Sequence, residues 1–331
     1  MRPLPTRRRF LTLASLAGLS LPPMAARAQD ATGEVRLLFG LPPGAVGTKL
    51  AQGAIDQLVG LYPQRLRLEH VLGKESRKAV EVLKAAEGDG TTLMMCQSSV
   101  VSLFPNTYQN LGYSALSDMT PLSSLGAYAF MLVVGPAVPA TVRSFEDFVR
   151  WLADNPESRN LGVTLKGSQA HLAALAMERD KGATSRPLPY SGTSPISKDL
   201  LSSALAAAII PTGNLQSELA NGTVRALFVT SDKRWRNMAA VPTTTELGFD
   251  DLVLTGWYGW FGPKSLKPEI ATRLVGALDA LLVKPEFLAL QAELSLQPLR
   301  MTPAQMRERI QGEIDFYREA VKTSRLKPAK A

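Results

Sequence analysis

Val35-Arg36-Leu37-Leu38-Phe39-Gly40-Leu41-Pro42-Pro43-Gly44-Ala45-Val46-Gly47-Thr48-Lys49-Leu50 decides the fold. The first five residues form a short apolar strand, and a Pro/Gly turn follows. Across residues 48–59, Leu50, Ala54, Ile55 and Leu58 then recur at helical spacing. Working outward, residues 65–71 alternate Leu66 and Leu68 with polar partners, as a half-buried strand does. Residues 75–86 set Ala79, Val80, Leu83 and Ala86 on one helical face, and residues 92–96 form a third apolar strand. Strand, helix, strand, helix, strand is half of an open parallel sheet.

A second half follows. Residues 131–134 read as a strand ending at Gly135-Pro136, and Ser144 caps a helix reaching residue 152. Strands are expected at 161–165, 188–190, 207–210 and 224–229, with helices at 169–179, 194–203 and 215–220. Beyond 257–261 the pattern turns helical. Pro268 and Pro285 each open a helix, and Thr302-Pro303-Ala304-Gln305 is a capping box with proline at the first helical position. These observations imply an α/β, two-lobed clamshell with a helical C-terminal tail packed on lobe 1. Residues 29–125 plus 258–331 would form lobe 1 and residues 126–257 lobe 2, with hinge crossings near 122–131 and 254–261.

The first 28 residues read as an address. They carry five arginines and no acid, and subtracting five from the formal +8 leaves +3 for the rest. Thr6-Arg7-Arg8-Arg9-Phe10-Leu11 fits a twin-arginine signal. The apolar stretch after it is too short to span a bilayer, and Ala26-Arg27-Ala28 ends it, so cleavage is expected before Gln29 and the mature chain in the periplasm. Acidic and basic residues alternate through the remainder, which argues against a nucleic-acid partner. The one cysteine, Cys96, lies in an apolar run and reads as a buried thiol. With two histidines, His70 and His171, far apart, no metal site is expected, and no cofactor fingerprint is present.

Ligands of open α/β sheets bind beyond the strand ends, where helix N-termini favour anions. Four segments qualify. The first is the turn with Pro43, Gly44 and Ala45, with Thr48 as helix cap. The second is the polar strand end Gln97-Ser98-Ser99, with Ser98 and Ser99 as its candidate residues. The third is Lys166-Gly167-Ser168-Gln169-Ala170-His171, with Ser168 as cap, Gly167 offering its backbone and His171 in the first turn. The fourth is Tyr190-Ser191-Gly192-Thr193-Ser194-Pro195, where Thr193 or Ser194 caps. Each pattern is equally that of an ordinary capped turn. A Ser168 nucleophile with a His171 base is disfavoured, because a capping oxygen is committed to its helix and no acid is placed to orient the imidazole. No catalytic residue is assigned.

Taken in order, these segments resemble the Bug family, the substrate-binding receptors of tripartite tricarboxylate transporters. Asp89-Gly90-Thr91-Thr92-Leu93, Gly167-Ser168-Gln169-Ala170-His171-Leu172 and Leu188-Pro189-Tyr190-Ser191-Gly192 are similar to the family's motifs. So are Gly222-Thr223-Val224-Arg225-Ala226-Leu227-Phe228-Val229-Thr230-Ser231 and Trp257-Tyr258-Gly259-Trp260-Phe261-Gly262-Pro263. The chain departs from the family at Ala45, Thr48, Pro211 and residues 72–76. The resemblance implies a type 2 periplasmic-binding-protein (Venus-flytrap) fold that closes on a small organic anion, commonly a carboxylate. It also implies delivery of this ligand to a permease of one large and one small subunit, and the chain is expected to act as a monomer. The alternative is a ligand sensor that signals to a membrane histidine kinase.

Overall fold

The computed structural model describes residues 34–249, 252–324 and 326–330. The expected signal peptide, its twin arginines and its cleavage point lie outside those residues. The first half of the chain comprises β1 (Val35–Phe39), α1 (Val46–Leu58), β2 (Leu66–His70), α2 (Arg77–Lys84) and β3 (Thr92–Gln97). A wide π turn (Ser99–Leu103), α3 (Phe104–Thr107), β4 (Tyr108–Gln109) and α4 (Ala115–Asp118) lead into β5 (Met119–Val134). The second half runs α5 (Phe145–Asp154), β6 (Asn160–Thr164), α6 (Gln169–Lys181), β7 (Arg186–Tyr190), α7 (Thr193–Leu201), β8 (Ala207–Pro211), α8 (Gln216–Ala220) and β9 (Arg225–Val229). β10 (Thr255–Pro263) returns, followed by α9 (Pro268–Leu281), α10 (Pro285–Glu293), α11 (Pro303–Thr323) and β11 (Ala329–Lys330).

The main sheet is ordered β2-β1-β3-β10-β5-β8-β6-β7, with β9 also against β5. β1 is parallel to β2 and β3, and β6 is parallel to β7 and β8. β10 runs antiparallel to both β3 and β5. One strand belongs to both halves: β5 pairs with β10 from Met119 to Ala129, then with β8 and β9 from Phe130 to Val134. Each half is an α/β layer, and together they make the two-lobed α/β fold of periplasmic binding proteins. In the tail, α9 and α10 pack on α1, while α11 packs on the π turn and β5.

Local chemistry explains most element boundaries. Ser144 and Asp147 form a reciprocal capping box at α5, and Thr302 and Gln305 form another at α11. Proline opens α9, α10 and α11. Three expectations change. The strand expected at 131–134 is the end of a 16-residue strand. Pro121, Ser123, Ser124 and Gly126 are poor strand formers, but pairing with β10 overrides propensity. Residues 74–76 are not helical: they form a tight turn with Lys74, Glu75 and Ser76 at φ of 50°, 50° and 74°, so α2 starts at Arg77. Third, α1 and α7 begin earlier than expected and carry no side-chain cap. Cys96 is fully buried in the core, and burial pushes its thiol well up from the ordinary range.

Candidate ligand-binding cleft

Three helix N-termini face one small cavity. Ala45 and Val46 of α1, Ser168 and Gln169 of α6, and Gly192 and Thr193 of α7 all line it. The wall is completed by Gln97 and Ser99 at the end of β3, Tyr128 and Phe130 of β5, Tyr258 of β10, and Pro211 and Asn214 beyond β8. Leu41, Thr164 and Leu165 close the sides. The cavity measures about 40 Å³. One water takes roughly 10–15 Å³ on the same scale, so a group of a few heavy atoms fits. None of the lining side chains is a formal charge carrier. The field inside is therefore set by the helix ends, each equivalent to roughly half a positive charge.

The two rims of the cleft touch. A Cβ placed on Gly44 would lie 3.2 Å from the Ser194 hydroxyl oxygen, and one on Gly192 would lie 3.7 Å from Pro42 Cγ. Nearby, the Tyr108 hydroxyl donates to the Lys166 carbonyl at 2.9 Å. Behind the cavity, Gln169 Nε2 donates to Ser98 Oγ at 3.3 Å and to the Tyr317 hydroxyl at 3.4 Å. Ser98 Oγ also accepts the Trp257 N–H at 3.3 Å.

Of the residues expected from sequence, Ala45, Ser99, Ser168 and Thr193 come together on the cavity wall. The others stand elsewhere. Pro43 and Gly44 are exposed on the rim. Thr48 does not cap α1: the helix starts two residues earlier with Ala45 as N-cap, and the Thr48 hydroxyl donates to the Pro42 carbonyl at 3.2 Å. Ser98 is fully buried behind the wall, holding Trp257 and Gln169. Thr193 lies inside the first turn of α7, whose N-cap is Gly192, so its hydroxyl caps nothing.

The α6 end corrects the expectation most. Ser168 is the cap, its Oγ accepting the His171 N–H at 3.4 Å. The same hydroxyl donates to the Thr164 carbonyl, so its proton is not offered to a ligand. Gly167, at φ 73°, donates its N–H to His171 Nδ1 at 3.1 Å rather than into the cavity. His171 is thus a buried acceptor that fixes the turn from behind. Burial, aided by the nearby Lys166 charge, pushes its imidazole down to about 4, so it is neutral near pH 7.

At α1 the arrangement is the reverse. Ala45 has extended geometry and no side chain that can cap, so the first N–H groups of the helix depend on partners outside it. The Tyr258 hydroxyl takes the Gly47 N–H, and burial keeps that phenol protonated by pushing it well up. Tyr258, Tyr128, Phe130 and Asn214 are among the lining residues that sequence reasoning missed, while Gln97 and Gln169 stood inside candidate segments without being assigned a role. The rings lie in the segments expected as hinge crossings, 122–131 and 254–261, where no ligand contact was assigned. Among the described residues no cluster of His, Cys, Asp and Glu is placed to hold a metal.

Residues 75–325 match the model of the tripartite tricarboxylate transporter family receptor. BugT of Bordetella pertussis is 26% identical over 293 residues, covering 87% of this chain and 88% of that protein. Among solved structures, Rpa4515 of R. palustris with adipate superposes with a TM-score of 0.84 at 24% identity, covering 91% of this chain and 99% of that one. MatC of Rhodopseudomonas palustris with bound malate gives 0.80 at 20% identity, covering 88% and 99%. With three-quarters of its length matched by the family model, the chain belongs to the tripartite tricarboxylate transporter receptors.

Proposed function

We propose that the protein is a periplasmic receptor that captures a small carboxylate between its two lobes and hands it to a membrane permease of one large and one small subunit. The carrying observation is the meeting of three helix N-termini, two of them without side-chain caps, at one uncharged cavity. Such ends attract an anion through oriented N–H groups and the helix dipole. Relatives of the same fold bind adipate and malate, which supports a carboxylate. A family of receptors has no reaction to catalyse, and the one Ser–His pair is spent on capping and positioning.

In this reading, residues 29–125 plus 258–331 form one lobe and residues 126–257 the other. The paired β5 and β10 carry the two crossings, and the receptor acts as a monomer. Ligand contact with both lobes favours the closed arrangement over the open one. The first 28 residues direct export and are removed before Gln29. The test is calorimetry on protein purified from the periplasm, using the carboxylate found by mass spectrometry of released ligand and its methyl ester. The acid is expected to bind at least tenfold tighter than the ester. Equal binding of the two would refute an anion receptor.

A further inference from the structure

Directly after β6, Leu165 takes φ 57°, a left-handed value that is rare for a bulky residue. Its backbone belongs to the second half of the chain: the N–H donates to the Tyr190 carbonyl at 3.0 Å, and the carbonyl accepts the Ser168 N–H at 3.3 Å. Its side chain belongs to the first half. Only 6% exposed, it is part of an apolar cluster that includes Cys96 of β3, Val101 of the π turn, Phe104 of α3 and Ile310 of α11. Among the described residues, Leu165 is the one member of that cluster drawn from residues 126–257, apart from Trp257 on the crossing strand β10. The next two residues continue the contact. The Lys166 carbonyl accepts the Tyr108 hydroxyl at 2.9 Å. A Cβ on Gly167 would lie 2.9 Å from Thr107 Cβ, so the two surfaces fit only because residue 167 has no side chain.

The receiving surface is built by the first half alone. Arg77, 6% exposed, places its guanidinium carbon 4.0 Å from the centre of the Tyr108 ring, and the Phe104 ring meets that ring edge-on at 5.0 Å. Arg77 is itself fixed by the left-handed turn at residues 74–76, donating to the Lys74 carbonyl at 2.9 Å and to the Glu75 carboxylate at 3.0 Å. Burial, and then the Glu75 charge, pushes the Tyr108 phenol well up, so it keeps the proton that it donates. Backbone strain such as that at Leu165 persists where the surroundings over-determine it, and it gathers at switch regions. These contacts are protein on protein, so they act whether or not the cavity is filled. Resting on the two-lobed reading above, we infer that residues 165–167 form a latch that docks on Thr107 and Tyr108 and holds the lobes closed for part of the time before any ligand arrives. A receptor that is already partly closed binds more tightly, because a larger fraction of it is competent.

The test is small-angle scattering in carboxylate-free buffer, on protein shown by mass spectrometry to carry no ligand, with the curves fitted as mixtures of open and closed forms. The wild type is expected to show a measurable closed population. Tyr108→Phe loses the hydroxyl and keeps the ring over Arg77, and its open-to-closed ratio is expected to rise about fivefold, the worth of one hydrogen bond. Leu165→Ala keeps the left-handed backbone and loses the knob, and its ratio is expected to rise roughly tenfold or more. Should that variant not fold, Tyr108→Phe decides alone. Melting temperatures are read alongside. Variants that melt lower with an unchanged ratio would show a purely structural role and overturn the latch. So would a wild type already as open as both variants, or three proteins equally compact. Each of these results leaves the carboxylate receptor standing, because that reading is decided by the acid against its methyl ester.

Discussion

The loops before α1 and α6 face the same cavity and solve the same problem in opposite ways. The α6 turn is closed on itself: Ser168 satisfies the first turn and the Thr164 carbonyl, and His171 takes the Gly167 N–H. The α1 turn has no cap of its own: Ala45 stands where a capping side chain would, and the Gly47 N–H goes to the Tyr258 hydroxyl of another element. The sequence with the better helix-start signal is therefore the poorer ligand donor. A strong cap uses the N–H groups that an anion would want, so a missing cap at a buried helix end is the more informative signal for binding.

The comparison breaks first at His171. The folded protein holds its imidazole at about 4, against 6.5 ordinarily, so between these values the unfolded chain binds more protons. The contribution is complete above pH 6.5 and is lost as the pH falls to about 4, amounting to up to about 3 kcal/mol. Denaturant unfolding of wild type and His171→Asn is expected to show the wild-type advantage shrinking across that window. A constant difference would mean that the turn does not depend on a neutral ring.

The second prediction tests the open loop. Ala45→Asp supplies the missing cap, which stabilises helices by about 1 kcal/mol, but sets a carboxylate at the anion's place. Affinity for the ligand recovered from the protein is expected to fall at least 100-fold, about 2.7 kcal/mol, while the melting temperature holds or rises. Retained affinity would show that α1 does not face the anion. The smallest effect is expected at the closed loop. Ser168→Ala is expected to cost about 1 kcal/mol of stability and to change affinity less than threefold. A tenfold affinity loss at unchanged stability would reverse the roles of the two loops.

The alternation of strands and helices was legible because the apolar spacing of Leu50, Ala54, Ile55 and Leu58, or of Ala79, Val80 and Leu83, is local information. The caps at Ser144, Ser168 and Thr302 were legible for the same reason. β5 was not, because Pro121 to Gly126 becomes strand only through partners more than a hundred residues away. Of the site, the loops were found and much of the wall was missed. Tyr128 and Tyr258 look like core from their neighbours in sequence, and their rings meet on the cavity wall only because β5 pairs with β10. The cap expected at Thr48 failed because a residue type that can cap does not say where its helix begins, and the Gly167 N–H turned out to serve His171 rather than the cavity.

The buried thiol of Cys96 has a practical consequence. It is the chain's single cysteine, sits wholly inside the β3 core and is held protonated by burial. Alkylating dyes attack thiolates at accessible sites, so the native chain is spectroscopically silent toward them. A cysteine introduced at exposed Pro43 on the rim before α1 and another at exposed Lys198 on α7 would accept a fluorophore pair without background. The distance between that rim and α7 could then be followed molecule by molecule, on a chain that needs no prior removal of its own sulfur.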